Sequence, residues 1–309
     1  SVVSPATVVL DVVSGSQTQL ALGFGGITGT AAVTKTGGGT AVLAAANSYT
    51  GRTTVAAGSL LLSGTASINT SSGLTINGAG ARYVHSSSVA STLPITLTSG
   101  TLDGTGTVGA VTVGDNTGGV ITNGNGGSTT LTASGLAFLG DGVLSLRKPA
   151  DFTTAAVTVT GTLATTPASG SVVVNVLSGP TWTSGSTYNL VGYGSFGGAA
   201  SNFTLGTVAG LSSRQVATLG STGATAGFIT LAVAGDNPYW TGGTNGNWNT
   251  TQAGNWRLVN AGTPAVFLPN DQVLFNDNAT GTTTIDIDAA NVAVGGVVSK
   301  FGIPWVNAA

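Results

Sequence analysis

Along most of the chain, apolar residues alternate with threonine, serine and glycine, as in Thr158-Val159-Thr160-Gly161-Thr162-Leu163. A period of two sends successive side chains to opposite faces of a strand. Short runs of this kind recur at 40–43, 53–55, 59–62, 74–76, 94–97, 111–113, 129–131, 143–146, 157–159, 171–176 and 228–233. Gly, Asn, Asp or Ser bound each run, as at Asn77-Gly78 and Asp115-Asn116-Thr117-Gly118-Gly119. Those residues reach the backbone conformations of tight turns or hydrogen-bond their own main chain there. No stretch sustains apolar residues at i, i+3, i+4 and i+7, the stripe of an amphipathic helix. The pattern predicts an all-β chain.

Composition sharpens the architecture. Gly contributes 50 of 309 residues and Thr another 50, whereas Phe, Tyr and Trp together make up 6%. A parallel β-helix stacks its coils at about 4.8 Å, so its interior takes small and β-branched side chains in rows and its corners take Gly, Asn and Asp. A sandwich of this size would carry more aromatic core. The prediction is therefore a parallel β-helix (β-solenoid) over 1–235. There are no Glu and no Met, and only 8 Lys and Arg, so good helix formers are scarce.

A shift in composition falls near Gly235-Asp236-Asn237-Pro238 and marks a second segment, 236–309. Four of the five tryptophans lie beyond it, at 240, 248, 256 and 305. Trp240, Trp248 and Trp256 sit eight residues apart, which fits neither one helix face nor one strand. Successive turns whose indoles meet in a local cluster would satisfy that spacing. Strand patterning resumes over 264–275 and 282–287.

Charge and chemistry narrow the function. Charged residues are 6% of the chain, against about 25% in an average protein. The net charge is −2 with no basic cluster, so nucleic acid is not an expected partner. The absence of Cys excludes disulfides, thiolate metal sites and cysteine nucleophiles. Mean hydropathy is +0.37, yet no uninterrupted apolar run approaches the roughly 18 residues of a membrane-spanning helix, and no membrane insertion of this segment is expected. The first residues lack a signal-peptide pattern, so any targeting peptide is expected to have been removed or to lie outside this segment.

Two stretches resemble a known family. Thr34-Lys35-Thr36-Gly37-Gly38-Gly39-Thr40, followed by Ala46-Asn47-Ser48-Tyr49-Thr50-Gly51-Arg52-Thr53-Thr54-Val55 and Gly58-Ser59-Leu60, is similar to the autotransporter-associated β-strand repeat. Arg52 stands where that repeat usually has Gly, and Ala41-Val42 replaces its Leu-Thr pair. The Trp240, Trp248, Asn255-Trp256 module resembles one that opens a unit in the same large bacterial surface proteins. The resemblance implies a right-handed solenoid, extracellular or on the bacterial cell surface, structural or adhesive and without catalytic residues. Here the Trp module comes after the Lys-Thr-Gly repeat, the reverse of the usual order. The end of one unit would then run into the beginning of another, either along a tandem array or between subunits of a head-to-tail homopolymer.

Edge physics points the same way, because an uncapped solenoid leaves unpaired backbone groups at both ends that template further strands. The expected contact residues are Val8, Leu10 and Val12 at one end and Val292, Val294, Val297, Phe301, Ile303 and Trp305 at the other. The alternative function is an adhesin passenger in which Trp240, Trp248 and Trp256 stack on a glycan, weighed against a purely structural Trp core.

Candidate chemistry is thin. His85 is the sole histidine and has no nucleophile motif around it, so a structural role is expected rather than a Ser-His-Asp triad. No cofactor is expected. Asp286 and Asp288 share a strand face and, with Asp277 or Asp271, offer oxygen ligands for Ca²⁺, although calcium-loop spacing is absent. Lys35, Lys148 and Lys300 are the candidates for an isopeptide crosslink, with no supporting motif.

Overall fold

Alternation at period two becomes strand pairing in the computed structural model, which describes residues 7–20, 26–114, 118–124, 129–148, 151–166, 172–179, 182–287, 292, 294 and 296–300. The fold is all-β, a parallel solenoid in which each coil lays one strand in each of two sheets. The first coils comprise β1 (Val8–Asp11) and β2 (Gln17–Leu20), β3 (Val33–Thr36) and β4 (Thr40–Leu43), then β5 (Thr53–Val55) and β6 (Ser59–Gly64). The middle coils are β7 (Leu74–Ile76) and β8 (Arg82–Ser87), β9 (Ile95–Leu97) and β10 (Thr101–Gly104), β11 (Thr107–Val113) and β12 (Val120–Ile121). Longer strands follow: β13 (Leu131–Phe138), β14 (Gly142–Arg147), β15 (Val157–Thr165), β16 (Val172–Ser178), β17 (Ser186–Gly197) and β18 (Phe203–Val208). β19 (Gln215–Ser221) and β20 (Thr225–Gly235) depart from this plan, both joining the same sheet.

One sheet is 11-stranded, in the order β1-β3-β5-β7-β9-β11-β13-β15-β17-β20-β19; the other is 9-stranded, from β2 through the even strands to β18. In-register stacking builds the core as columns of like position. Val55, Ile76, Leu97, Val113 and Phe138 follow one another down the first sheet, and Ala41, Leu60, Tyr83, Leu102, Ile121, Leu144 and Val174 down the second. Each of these residues is at most 1% exposed. The alternate positions carry a threonine column on the outer face: Thr34, Thr54, Thr75, Thr96 and Thr112. Thr suits both its strand geometry and its half-wet setting, since its β-branch favours extended backbone and its hydroxyl remains hydrated.

A second compact unit contains β21 (Pro238–Trp240), β22 (Asn247–Trp248), β23 (Trp256–Leu258), β24 (Pro264–Ala265), β25 (Gln272–Asn276), β26 (Asp286–Ile287) and β27 (Gly296–Lys300). Five of these strands form a mixed sheet ordered β24-β23-β21-β25-β27, and β22 pairs in parallel with β26. This unit begins at Leu231 and also takes in Gly179–Thr187 and Val208–Thr218, so it is not one continuous segment starting near 235. Those insertions are held by Trp182, which is buried and donates its indole N–H to Ala209 O at 2.7 Å, and by Gln215, whose amide donates to Trp182 O at 2.6 Å. Among the described residues, no helix is long and apolar enough to cross a membrane.

Candidate functional site

The corner between β3 and β4 shows what the Lys-Thr-Gly run does. Lys35 lies between Leu10 and Val55 in an interior column and is fully buried. Its ammonium donates to the carbonyls of Thr36, Gly37 (2.8 Å) and Ala57 (3.2 Å), which neighbour the corner on two successive coils. Burial holds its pKa below the ordinary 10.5, and the charge of Asp11 acts in the opposite direction. Gly37 has φ of 68°, and a Cβ there would lie 2.3 Å from Val12 O, so no other residue fits this turn without displacing backbone.

The next corner is organised by Asn47. Its Oδ1 accepts from Ile27 N at 2.9 Å on the coil before, and its Nδ2 donates to Ala45 O at 2.8 Å and to Ser67 O at 3.1 Å on the coil after. Both inter-coil partners are 20 residues away, one repeat in each direction. Tyr49 is buried beside it and its hydroxyl pairs with Thr53 Oγ1 at 2.6 Å. Burial pushes that phenol up to about 12. Thr53 Oγ1 in turn meets Ser71 Oγ at 3.0 Å, and Ser71 donates to Gly51 O at 2.7 Å. Lys35, Asn47 and Ser71 thus tie adjacent coils together, while the Tyr49–Thr53 pair fixes the corner within one coil.

Residues 33–62 match the family model of the passenger-associated-transport-repeat. This match is consistent with an autotransporter-associated repeat family. No match is found among curated proteins or among solved structures. The repeat family implies a secreted or surface-exposed protein.

Beyond the transport repeat, the same logic recurs with different residues, and these were not singled out by the sequence pattern. Asp103 is 1% exposed, forms an ion pair with Arg82 on the preceding coil, and accepts from Gly104 N and Gly124 N at 2.6 and 2.8 Å. Asn123 is fully buried, accepting from Arg147 N and donating to Arg147 O and Thr129 O, each at 2.8 Å. The available signal was an Asn or Asp beside Gly at a strand end, which in a solenoid denotes a corner rather than a free turn.

His85 stands in an interior column below Leu43 and Leu62. Nε2 donates to Val89 O at 3.1 Å, leaving Nδ1 to accept from the Tyr83 hydroxyl at 3.0 Å. Burial lowers its pKa below the ordinary 6.5. Between 6.5 and that depressed value the unfolded chain binds the proton and the folded chain does not, so stability falls as pH drops through this window. The expected result is a melting temperature that declines from pH 7.5 to pH 5, with a shallower decline in His85→Gln. Equal declines in the two proteins would remove His85 from the account.

The second unit collects Trp240, Trp248 and Trp256 with Phe267, Val273 and Phe275 into one buried cluster. Trp240 and Trp256 meet edge to face at 5.0 Å, Trp248 and Phe267 at 5.4 Å. The three indoles are at most 4% exposed. Stacking on a sugar needs an open ring face, and none of them presents one, which corrects the glycan-binding expectation for these residues. Val292, expected at an assembly contact, packs instead against this cluster.

The remaining expected contact residues divide by location. In β1 Val8 is half-buried and Leu10 is buried, as is Val12 just beyond the strand, while Val294 and Val297 are 41% and 55% exposed. Phe301, Ile303 and Trp305 lie outside the described residues, as does Asp288. Asp271 is committed to Arg214, whose Nε donates to it at 3.0 Å, and to Leu268 N at 2.8 Å. Among the described residues, no group of three carboxylates or imidazoles converges on a point where a metal ion would sit. Lys148, like Lys35, donates to backbone carbonyls, here those of Asp151 and Thr154. Both lysines therefore act as corner ties.

Proposed function

We propose that this chain is a non-enzymatic, structural segment of an extracellular bacterial surface protein and that its copies join head to tail through β-strand contacts. The observation that carries this reading is the sheet order. Among the described residues, β1 and β2 are terminal strands, each hydrogen-bonded to a neighbour on one side only. Such edges present a row of free N–H and C=O groups to any strand of matching direction. Only Asp11 charges the β1 edge, and a chain of net charge −2 repels its own copies weakly. The transport repeat supports a place outside the cell, and the use of its polar side chains as coil ties supports a scaffold rather than a catalyst.

Electron microscopy across a concentration series tests the proposal. Filaments with a constant axial repeat are expected above a critical concentration. A chain shortened after residue 290 is expected to keep the solenoid's strand signature in circular dichroism and to form no filaments. Single rods at every concentration, or filaments of normal stiffness from the shortened chain, would defeat this reading.

A further inference from the structure

Among the described residues, the last strands of the second unit follow the plan of a solenoid coil. β25 and β27 pair in parallel, from Gln272 with Gly296 to Asn276 with Lys300, while β26, between them in sequence, lies in the other sheet. One strand per sheet per pass is the plan of the solenoid coils themselves. The step from Gln272 to Gly296 also resembles those from Val8 to Val33 and from Gln17 to Thr40.

In an in-register parallel ladder, paired residues share a face. Val273 and Trp248 are buried at 0% and 4% exposure, yet the residues paired with them, Val297 and Ile287, are 55% and 52% exposed. Two apolar positions on the core side of the last rung are therefore uncovered among the described residues. A further strand beside β27 would cover Val297.

We propose that β1 of a second copy supplies that strand, running parallel to β27 with Val8 opposite Val297 and Asp11 opposite Lys300. This rests on the head-to-tail reading above and names its junction. Parity restricts the choice. In the β1 segment Leu10 and Val12 are buried, whereas Val9 and Val13 are 56% and 70% exposed. Only registers that place Val8, Leu10 or Val12 beside Val297 keep apolar residues on the core side. Of these, pairing Val297 with Val8 sets opposite charges across the strands, while pairing it with Leu10 sets Lys300 against Val13. Opposite charges in facing positions favour a register. Among the described residues, the competing edges β18, β19 and β24 carry no charged residue to meet Asp11.

The chain has no cysteine, so engineered pairs report the junction alone. With Val8→Cys and Val297→Cys in the full chain, mild oxidation of assembled protein is expected to give a ladder of reducible multimers on denaturing gels. Neighbouring strands bring Cα atoms within the 4.4–6.8 Å that a disulfide spans. Val9→Cys with Val297→Cys, on opposite faces, is expected to give none. Asp11→Lys is expected to raise the critical concentration about two- to fivefold, as a cross-strand charge pair allows, and Lys300→Asp in the same chain to restore it. Filaments that form without the ladder, crosslinks to Val216→Cys in β19 instead, or a linked single chain would each overturn the junction while leaving assembly intact. Absence of filaments in the parent protein would overturn both readings.

Discussion

Trp256→Ala is expected to unfold the C-terminal unit while the transport repeat and its neighbouring coils keep their hydrogen bonds. The indole is fully buried, and its ring lies 5.0 Å from Trp240, 5.2 Å from Trp248, 5.8 Å from Phe275 and 6.0 Å from Phe267. Truncating a buried tryptophan costs about 3–5 kcal/mol. Here the rest of the cluster is five side chains, so little else remains to close the cavity. Trp256→Phe should cost much less. The indole N–H is buried without a hydrogen-bond partner, and phenylalanine removes that unsatisfied donor along with part of the volume. Hydrogen exchange read by mass spectrometry separates the units: protection should vanish across 238–276 and persist across 33–113. Unchanged protection over 238–276 in Trp256→Ala would mean that the aromatic cluster is not what holds the unit.

The second large effect is expected at Asn47. Asn47→Ala deletes one acceptor and one amide that together close contacts to Ile27 N, Ala45 O and Ser67 O. Ile27 N loses its buried acceptor and Ala45 O a donor, while Ser67 O keeps the backbone N–H of residue 47 at 2.8 Å, so at about 1–3 kcal/mol for each group left unpaired the total expected is about 2–4 kcal/mol. Asn47→Asp should be at least as damaging, because a carboxylate has no N–H to offer the carbonyls of Ala45 and Ser67. Denaturant titration of the full chain would show the loss as an earlier first transition. A transition within experimental error of the parent would show that the corner tolerates the loss and that the coils are held by their strands alone. The motif asparagine would then need another explanation.

These two sites differ in how far the sequence exposed them. The tryptophans announced themselves by spacing, and the cluster they form follows from it. The asparagine stood in a recognisable motif, but its task was invisible because both inter-coil partners lie a full repeat away. The strand positions were legible for a local reason: 40–43, 53–55 and 74–76 appear as β4, β5 and β7 with the bounds expected from alternation. Where alternation is blurred by glycine, boundaries moved, as when the strand expected over 129–131 appeared as β13, beginning at Leu131. The burial of Lys35 had no local signal. A lysine between two threonines in a strand reads as a solvent-facing charge, yet it occupies the inward position.

Local pattern is enough to establish that this chain is all-β, that glycine and asparagine turn its corners, and that residues 33–62 resemble a transport repeat. Each of those properties is settled by near neighbours, through a period of two, a turn conformation or a motif. Coil stacking settles the rest. It decides that Lys35 and Asp103 are interior, because groups that satisfy them sit on adjacent coils, and that His85 is interior, because it stacks beneath Leu43 and Leu62. It also decides that 179–187 and 208–218 join the C-terminal unit, and that Val297 and Ile287 are left uncovered. Burial is a property of the surroundings in three dimensions, and a strand's own residues do not specify which neighbour lies above it.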